Sequence, residues 1–306
     1  MPGNYQLVRL NNGICSVRSL ADAETFHPVV GPVAEAEALY VQQLRLRDRL
    51  RNQSGEFVIW DVGLGAAANP LTVLRATRDI PCRIRLVSFD HTLEPLKFAL
   101  RHAADLDYFG GYEDHLNDLL SKHHVAFCDG AQSVSWEFHP GDFPKLISLS
   151  SRGDEAQMIK TQNIPEPPHV SGYHKLPPPH AILFDAYSPA RNPAMWTLPL
   201  FTNLFRLLDP QRPCAMPTYS RSTILRVTLL LAGFYVGVGQ ATGEKEETTI
   251  AANDLSLIAE PLDHRWLDRA RRSHCAEPMT EPVYRIAPLG AAAWKNLSAH
   301  PQFVRG

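Results

Sequence analysis

The 306-residue chain balances 30 Lys and Arg against 32 Asp and Glu, for a formal net charge of −2 at pH 7, and 44% of its residues are hydrophobic. That balance speaks against nucleic-acid binding through global charge, which usually needs a strongly basic domain, and supplies apolar residues for a sizeable core. Five scattered cysteines with no CxxC pair argue against a disulfide framework or a zinc knuckle, and no apolar run approaches the ~20 residues of a membrane helix. With no basic-then-apolar leader at the start, a reducing cytoplasmic location is expected, with no membrane and no metal.

Tyr5–Leu10 and Ile14–Arg18 are β-prone runs around Asn11-Asn12-Gly13, a hairpin signal. Glu35–Leu50, rich in Ala, Leu, Gln, Glu and Arg, reads as one helix. Residues 1–55 are thus expected to form a hairpin-and-helix extension. From residue 56 the pattern alternates. Phe57–Asp61 is a strand, followed by a helix from Asn69 or Pro70 through Arg78. Arg83–Phe89 is a strand closed by Asp90, followed by a helix over Leu93–Ala104. Val125–Phe127 and Val134–Phe138 form a hairpin before Gly141-Asp142. Ala181–Phe184 is a strand, Met195–Leu208 a helix, Cys214–Tyr219 a strand and Ser222–Ala232 a helix. Phe234–Val238 and Glu247–Ala251 close the series as paired strands. Strands alternating with helices predict an α/β domain over residues 56–255, its mainly parallel sheet covered on both faces. A Pro-rich insertion occupies 143–179. The tail, 256–306, is irregular, with one short helix around Trp266–Arg272. Two basic runs (Arg45, Arg47, Arg49 and Arg51; Arg265, Arg269, Arg271 and Arg272) read as solvated helix faces.

The chemistry concentrates at strand ends, where open α/β sheets bind ligands. Asp61-Val62-Gly63-Leu64-Gly65-Ala66-Ala67-Ala68-Asn69 follows the first strand. Gly63 and Gly65 let a ligand approach the backbone, although Gly-x-Gly is also an ordinary tight turn. No full GxGxxG and no Gly-Lys-Ser/Thr is present, which disfavours phosphate binding. Asp90 is placed to accept hydrogen bonds from both ribose hydroxyls of a nucleoside, or to cap a helix. Asp142 is placed to accept from a purine amine, or to sit in a turn. Acidic residues after successive strands, with a glycine loop and no phosphate signal, suggest S-adenosylmethionine. Ala181–Phe184 then delivers Asp185 into a proline-stiffened loop, Asp185-Ala186-Tyr187-Ser188-Pro189-Ala190-Arg191-Asn192-Pro193-Ala194-Met195-Trp196.

That last stretch resembles the signature of the MnmC family, Asp-Gly-Phe-Ala-Pro-x-Lys-Asn-Pro-x-Met-Trp. Asp61–Asn69 resembles the family's glycine loop, Ser88-Phe89-Asp90 its Ser-Phe-Glu, Gly141-Asp142 its Gly-Asp, and Thr25–Ala36 an upstream Thr-x-His pattern. The similarity covers roughly residues 5–255. It departs at Ala67 and Ala186, both glycine in the family, and at Gly243-Glu244-Lys245-Glu246-Glu247, where the family tends to be basic. The family's second, flavin-dependent half has no counterpart here, so no FAD chemistry is implied.

The resemblance implies a Rossmann-like class I S-adenosylmethionine-dependent methyltransferase with a seven-stranded sheet. Its implied reaction moves methyl to the aminomethyl nitrogen of 5-aminomethyl(-2-thio)uridine at the tRNA wobble position. tRNA is then the partner, with an oxidoreductase supplying the aminomethyl substrate. Asp61, Gly63, Gly65, Asn69, Asp90, Asp142 and Asp185 are the expected cofactor site. Asp185 and Tyr187 are the expected catalytic pair, Asp185 taking the ammonium proton and Tyr187 stacking on the uracil. The carbonyls of Ala186–Ser188 are expected to hold the remaining N–H bonds. Ser188, Pro189, Arg191 and Asn192 are expected to contact substrate. Two rivals stay open: an enzyme of similar fold acting on a small amine, as a methyltransferase or an aminopropyltransferase, and a non-catalytic nucleoside-binding relative.

Overall fold

The computed structural model describes residues 4–148, 176–243 and 246–304. The bulk of the Pro-rich insertion (149–175) and residues 244–245 of the acidic loop lie outside the described residues.

The expected hairpin forms. β1 (Tyr5–Arg9) pairs antiparallel with β2 (Cys15–Ser19), and a two-residue strand, β3 (Glu24–Thr25), adds to β2. The main sheet holds β4 (Glu56–Val62), β5 (Arg83–Asp90), β6 (His124–Asp129), β7 (Gln132–Pro140), β8 (Ala181–Phe184), β9 (Ala215–Thr218), β10 (Tyr235–Gly239) and β11 (Thr248–Ala252). Their order is β10-β11-β9-β8-β4-β5-β7-β6. Within it β4 pairs parallel with β5 and β8, β5 with β7, and β8 with β9. The sheet has eight strands rather than seven because the hairpin is not an insertion ahead of the third parallel strand. Its second arm, β7, is that strand, and β6 caps the edge antiparallel to it.

The order reverses between β5 and β8 on either side of β4, the switch point at which such sheets open a crevice. Along β4 successive side chains alternate between two cores, as the two-residue period of a strand requires. Phe57 and Ile59 join Leu39, Tyr40, Leu71, Leu86 and Trp136. Val58, Trp60 and Val62 join Phe89, Phe184, Trp196, Phe201 and Phe234.

The single helix expected over 35–50 is three pieces: Pro32–Ala36, a π-helical turn Glu37–Gln42, and Leu46–Arg51 after a left-handed Arg45 (φ 49°). Leu39, Tyr40, Val41, Leu44, Leu46 and Leu50 are all buried, a set that no straight helix can put on one face. The π turn also carries Tyr40 to the sheet, where its hydroxyl donates to the Phe184 carbonyl at 3.2 Å. The first basic run is only partly a solvated face. Arg47 pairs with Asp79 at 2.7 Å, and Arg49 donates to the carbonyls of His180 (2.8 Å) and Pro213 (3.0 Å).

The expected helix around Trp266 is present as His264–Arg272, capped by Asp263, which accepts from the Trp266 amide at 2.8 Å. The tail holds more than that one helix. Ala291–Ser298 and Pro301–Val304 pack back so that Leu297 and Phe303 are buried in the core of Phe234 and Val236. Gln302 fixes them there, accepting from the Val236 amide and donating to the Val236 and Leu262 carbonyls.

Candidate cofactor and acceptor site

A cavity of about 710 Å³ opens over the carboxyl ends of β4, β5, β7 and β8, with the N-terminal sheet along one side. The β4 end turns through Gly63 (φ 95°), whose amide donates to the Phe89 carbonyl at 2.9 Å. A Cβ at Gly63 would stand 2.7 Å from the Asp185 carbonyl oxygen. Glycine is needed here twice, for the left-handed backbone and for the close approach. Gly63→Ala is therefore expected to displace the Asp185 loop and reduce both ligand binding and turnover by about tenfold or more, since small misplacements of reacting groups are costly. Calorimetry and initial rates on the purified variant check it, and near-normal values for both would refute the close-approach role. Ala67, where the family has glycine, is also left-handed (φ 61°) and fully buried. Ala186 has no positive φ, so its backbone does not require the family's glycine.

Asp90 faces the cavity from the end of β5. Its Oδ2 accepts from the Gly65 amide at 3.0 Å and its Oδ1 from the Thr92 amide at 3.3 Å, with His91 Nδ1 at 3.1 Å. That bond to Asp90 raises the His91 pKa against the lowering effect of burial. Asp142 lines the cavity and also begins the helical segment 143–148, its backbone carbonyl accepting from the Lys145 and Leu146 amides at 3.0 Å.

Asp61 does not line the cavity. It sits beneath the glycine loop, opposite Ser88 on β5, and its Oδ2 accepts from the Ser88 hydroxyl at 2.7 Å, which in turn accepts from Trp136 Nε1 at 2.9 Å. Burial pushes its carboxyl up to about 7, against the Ser88 bond, with Asp185 and Asp90 adding to the rise. It supports the loop from below, and its Oδ1 is buried without a protein partner.

Asp185 occupies the cavity wall where β8 ends. Its Oδ2 accepts from Asn69 Nδ2 at 2.8 Å, and His27 Nε2 stands 3.5 Å from the same oxygen. His27 Nδ1 contacts Glu35 Oε1 at 3.1 Å. Asn69 Oδ1 is buried without a protein partner. Burial pulls the His27 imidazole down, but the charge of Asp185 and the bond to Glu35 outweigh it and push its pKa up to about 9. His27, Glu35 and Asp185 bring ligand-type atoms within 4.8 Å of one another. As placed, the imidazole bridges the two carboxylates through its two nitrogens, a chain of ion pairs when it is protonated.

Tyr187, Ser188 and Asn192 also line the cavity. The Tyr187 ring lies 5.8 Å from that of Phe26, and burial raises its hydroxyl pKa far above neutrality, so Tyr187 is no proton acceptor. The Ser188 hydroxyl and amide both donate to Glu24 on β3. Pro189 and Arg191 are absent from the lining. Arg191 is exposed, with its amide donating to Ser188 O at 2.9 Å. The carbonyls expected to face a substrate amine already hold the loop together. Ala186 O accepts from Tyr219 (3.1 Å), Tyr187 O from Trp196 Nε1 (2.7 Å), and Ser188 O from the Arg191 and Asn192 amides. Glu24, Phe26, His27 and Glu35 line the cavity, and no role was assigned to them from sequence. The one signal available was the Thr25–Ala36 pattern.

Residues 176–254 match the family model described as S-adenosyl-L-methionine-dependent methyltransferase. The chain is 27% identical over 278 residues to the tRNA 5-methylaminomethyl-2-thiouridine biosynthesis bifunctional protein MnmC of Methylibium petroleiphilum, an alignment covering 89% of this chain and 37% of that protein. The MnmC protein of Ectopseudomonas mendocina is 40% identical over 119 residues, 39% of this chain and 17% of that one. The crystal structure of MNMC2 from Aquifex aeolicus superposes with a TM-score of 0.64 at 20% identity, covering 96% of this chain and 84% of that one. The chain is a homologue of the MnmC proteins. It spans about a third of the length of the curated MnmC relatives it matches, and it shares the fold of MNMC2. The Asp185–Trp196 segment that carries the MnmC resemblance lies inside the matched stretch.

Proposed function

We propose that the chain is a cytoplasmic S-adenosyl-L-methionine-dependent methyltransferase acting on the aminomethyl nitrogen of 5-aminomethyl(-2-thio)uridine at the tRNA wobble position. The observation that carries this reading is the placement of Asp185, a carboxylate on the wall of a large cavity beside the glycine loop. The cavity's own residues suit the cofactor: left-handed glycines at 63 and 65, a strand-end carboxylate at Asp90, and an orphaned buried acceptor at Asn69 Oδ1. Gly63, Gly65, Asn69, Asp90 and Asp142 would hold it. When bound, it supplies an electrophilic methyl group on a sulfonium.

The chain's residues then do the rest. An aminomethyl group is largely protonated at neutral pH and has no lone pair until it loses a proton. Asp185 accepts that proton and orients the nitrogen, the task of a positioned general base. With the three neighbouring carbonyls engaged in the loop, the carboxylate is the strongest acceptor on that wall. Tyr187 offers its ring to the unstacked uracil, which must leave its stack to be reached. An oxidoreductase acting upstream would deliver the aminomethyl substrate.

The test is direct. Labelled S-adenosylmethionine should transfer label to undermodified tRNA, and cells lacking the protein should accumulate 5-aminomethyl(-2-thio)uridine by nucleoside mass spectrometry. Label entering small amines but not tRNA would favour the small-amine reading. No binding of S-adenosylmethionine by calorimetry would remove the enzyme altogether.

A further inference from the structure

We infer that His27 and Glu35 form a positioning pair whose cation holds the Asp185 carboxylate in place for the acceptor amine. The inference rests on the methyltransferase reading for its chemistry, but its geometry stands by itself. His27 is the middle member of a chain running from Glu35 Oε1 (3.1 Å) through the imidazole to Asp185 Oδ2 (3.5 Å), where the Asn69 amide also arrives at 2.8 Å. The side chains of His27 and Glu35 are 7% and 9% exposed, and Asp185 is 18% exposed. The backbone of His27 is left-handed, at φ 47°. A non-glycine residue held in that region is strained and persists where its surroundings over-determine it, often at functional sites.

Charge explains the arrangement. Two buried carboxylates so close together would not both stay ionised. One imidazolium between them relieves that repulsion and leaves negative charge to attract a substrate ammonium. Of the other groups around the chain, Tyr40 and Tyr219 have hydroxyl pKa values raised well above neutrality by burial, Asp61 lies beneath the loop, and Glu24 is occupied by Ser188. His27 is thus a cation that faces Asp185. During turnover the ammonium N–H bond breaks and its proton passes to the Asp185 carboxylate. The freed lone pair would then be available to a sulfonium methyl group, whose C–S bond would break as the electron pair leaves with a neutral thioether, and the imidazolium keeps its own proton throughout. His27 thus acts through Asp185 and not on the substrate.

Glu35→Gln and His27→Asn test this. Asparagine tolerates positive φ and can still donate a hydrogen bond, but it brings no charge. His27→Asn should lower kcat by about tenfold or more and move the acid limb of the kcat/KM profile up by about 1 pH unit, because Asp185 loses a cation within ion-pair distance. Glu35→Gln keeps that cation and removes a nearby anion, so the limb should move down instead. Affinity for S-adenosylmethionine should stay within about twofold. A purely structural role would lower kcat without moving the profile, and an unmoved profile overturns the inference. Histidine NMR of the free protein gives a readout that needs no activity. The His27 titration should sit near 9 in the parent protein and fall in both Glu35→Gln and Asp185→Asn. A His27 midpoint near the ordinary ~6.5, or one unmoved by either substitution, overturns the pairing even if tRNA is methylated. A coupled titration without transfer to tRNA would instead leave the pairing standing and sink the substrate assignment.

Discussion

Asp185→Asn is expected to cut turnover by about 10³-fold while leaving S-adenosylmethionine affinity within about threefold. The size is that of removing a positioned general base, typically 10²–10⁴. The selectivity follows from geometry. Asparagine has the same shape, and its amide oxygen can still accept the Asn69 bond seen at 2.8 Å, so the cavity wall is kept while the charge is lost. Asp185→Ala should lose a similar share of activity but also stability, because the Asn69 Nδ2 donor would then be left without its acceptor beside an Asn69 Oδ1 that already lacks a donor. A buried polar group stripped of its partner costs about 1–3 kcal/mol. Stopped-flow or discontinuous turnover assays, paired with calorimetry, read the two quantities separately. Equal loss of both in the asparagine variant would place Asp185 against the cofactor, and the general-base role would fall.

The parts of this site visible in the sequence are those fixed by local order. Ala181–Phe184 was readable to the residue because a buried parallel strand is a continuous apolar run, here closed by Asp185. The same logic located Asp90 and Gly63, and a parallel sheet gathers such strand ends into one crevice. What the sequence hid depends on residues far apart in the chain. Glu24 meets Ser188 across 164 positions and Asn69 meets Asp185 across 116, and no spacing rule connects them. His27 lay within a legible motif, but its ion-pair chain needs the broken helix that brings Glu35 alongside. That break was itself hidden, since Glu35–Leu50 has good helix formers throughout and only the burial of Leu39, Tyr40 and Val41 together reveals the π turn. Helix Glu113–Lys122 was missed for the opposite reason: only Leu116 and Leu119 of its ten residues are buried, too few for a clear period. The orientation of Asp61 was hidden because a strand-end acid looks the same whether it faces the cavity or, as here, turns one oxygen toward Ser88 on the next strand.

Asp90→Ala should have the reverse signature of Asp185→Asn, a cofactor affinity about 100-fold weaker with kcat at saturation nearly retained. Two hydroxyl groups bonding one carboxylate contribute about 1.5–3 kcal/mol each when the acceptor is charged, and the low end of that total, about 3 kcal/mol, already corresponds to about 100-fold. The carboxylate has capacity for them. An ionised carboxylate offers about four acceptor positions, and the loop uses one at Oδ2 through the Gly65 amide and one at Oδ1 through Thr92. His91 takes part of Oδ1 but is 71% exposed, so it can turn into solvent, whereas Gly65 is fixed by the loop. The hydroxyls therefore compete with His91 and not with the backbone. His91→Ala is the control: its affinity should be unchanged or slightly tighter, while Asp90→Asn should fall between the parent and Asp90→Ala. Calorimetric titration with S-adenosylmethionine measures all three. Unaltered affinity in Asp90→Ala would mean that the carboxylate serves the Gly65 turn alone, and the nucleoside would then have to be held from the Asp142 side of the cavity.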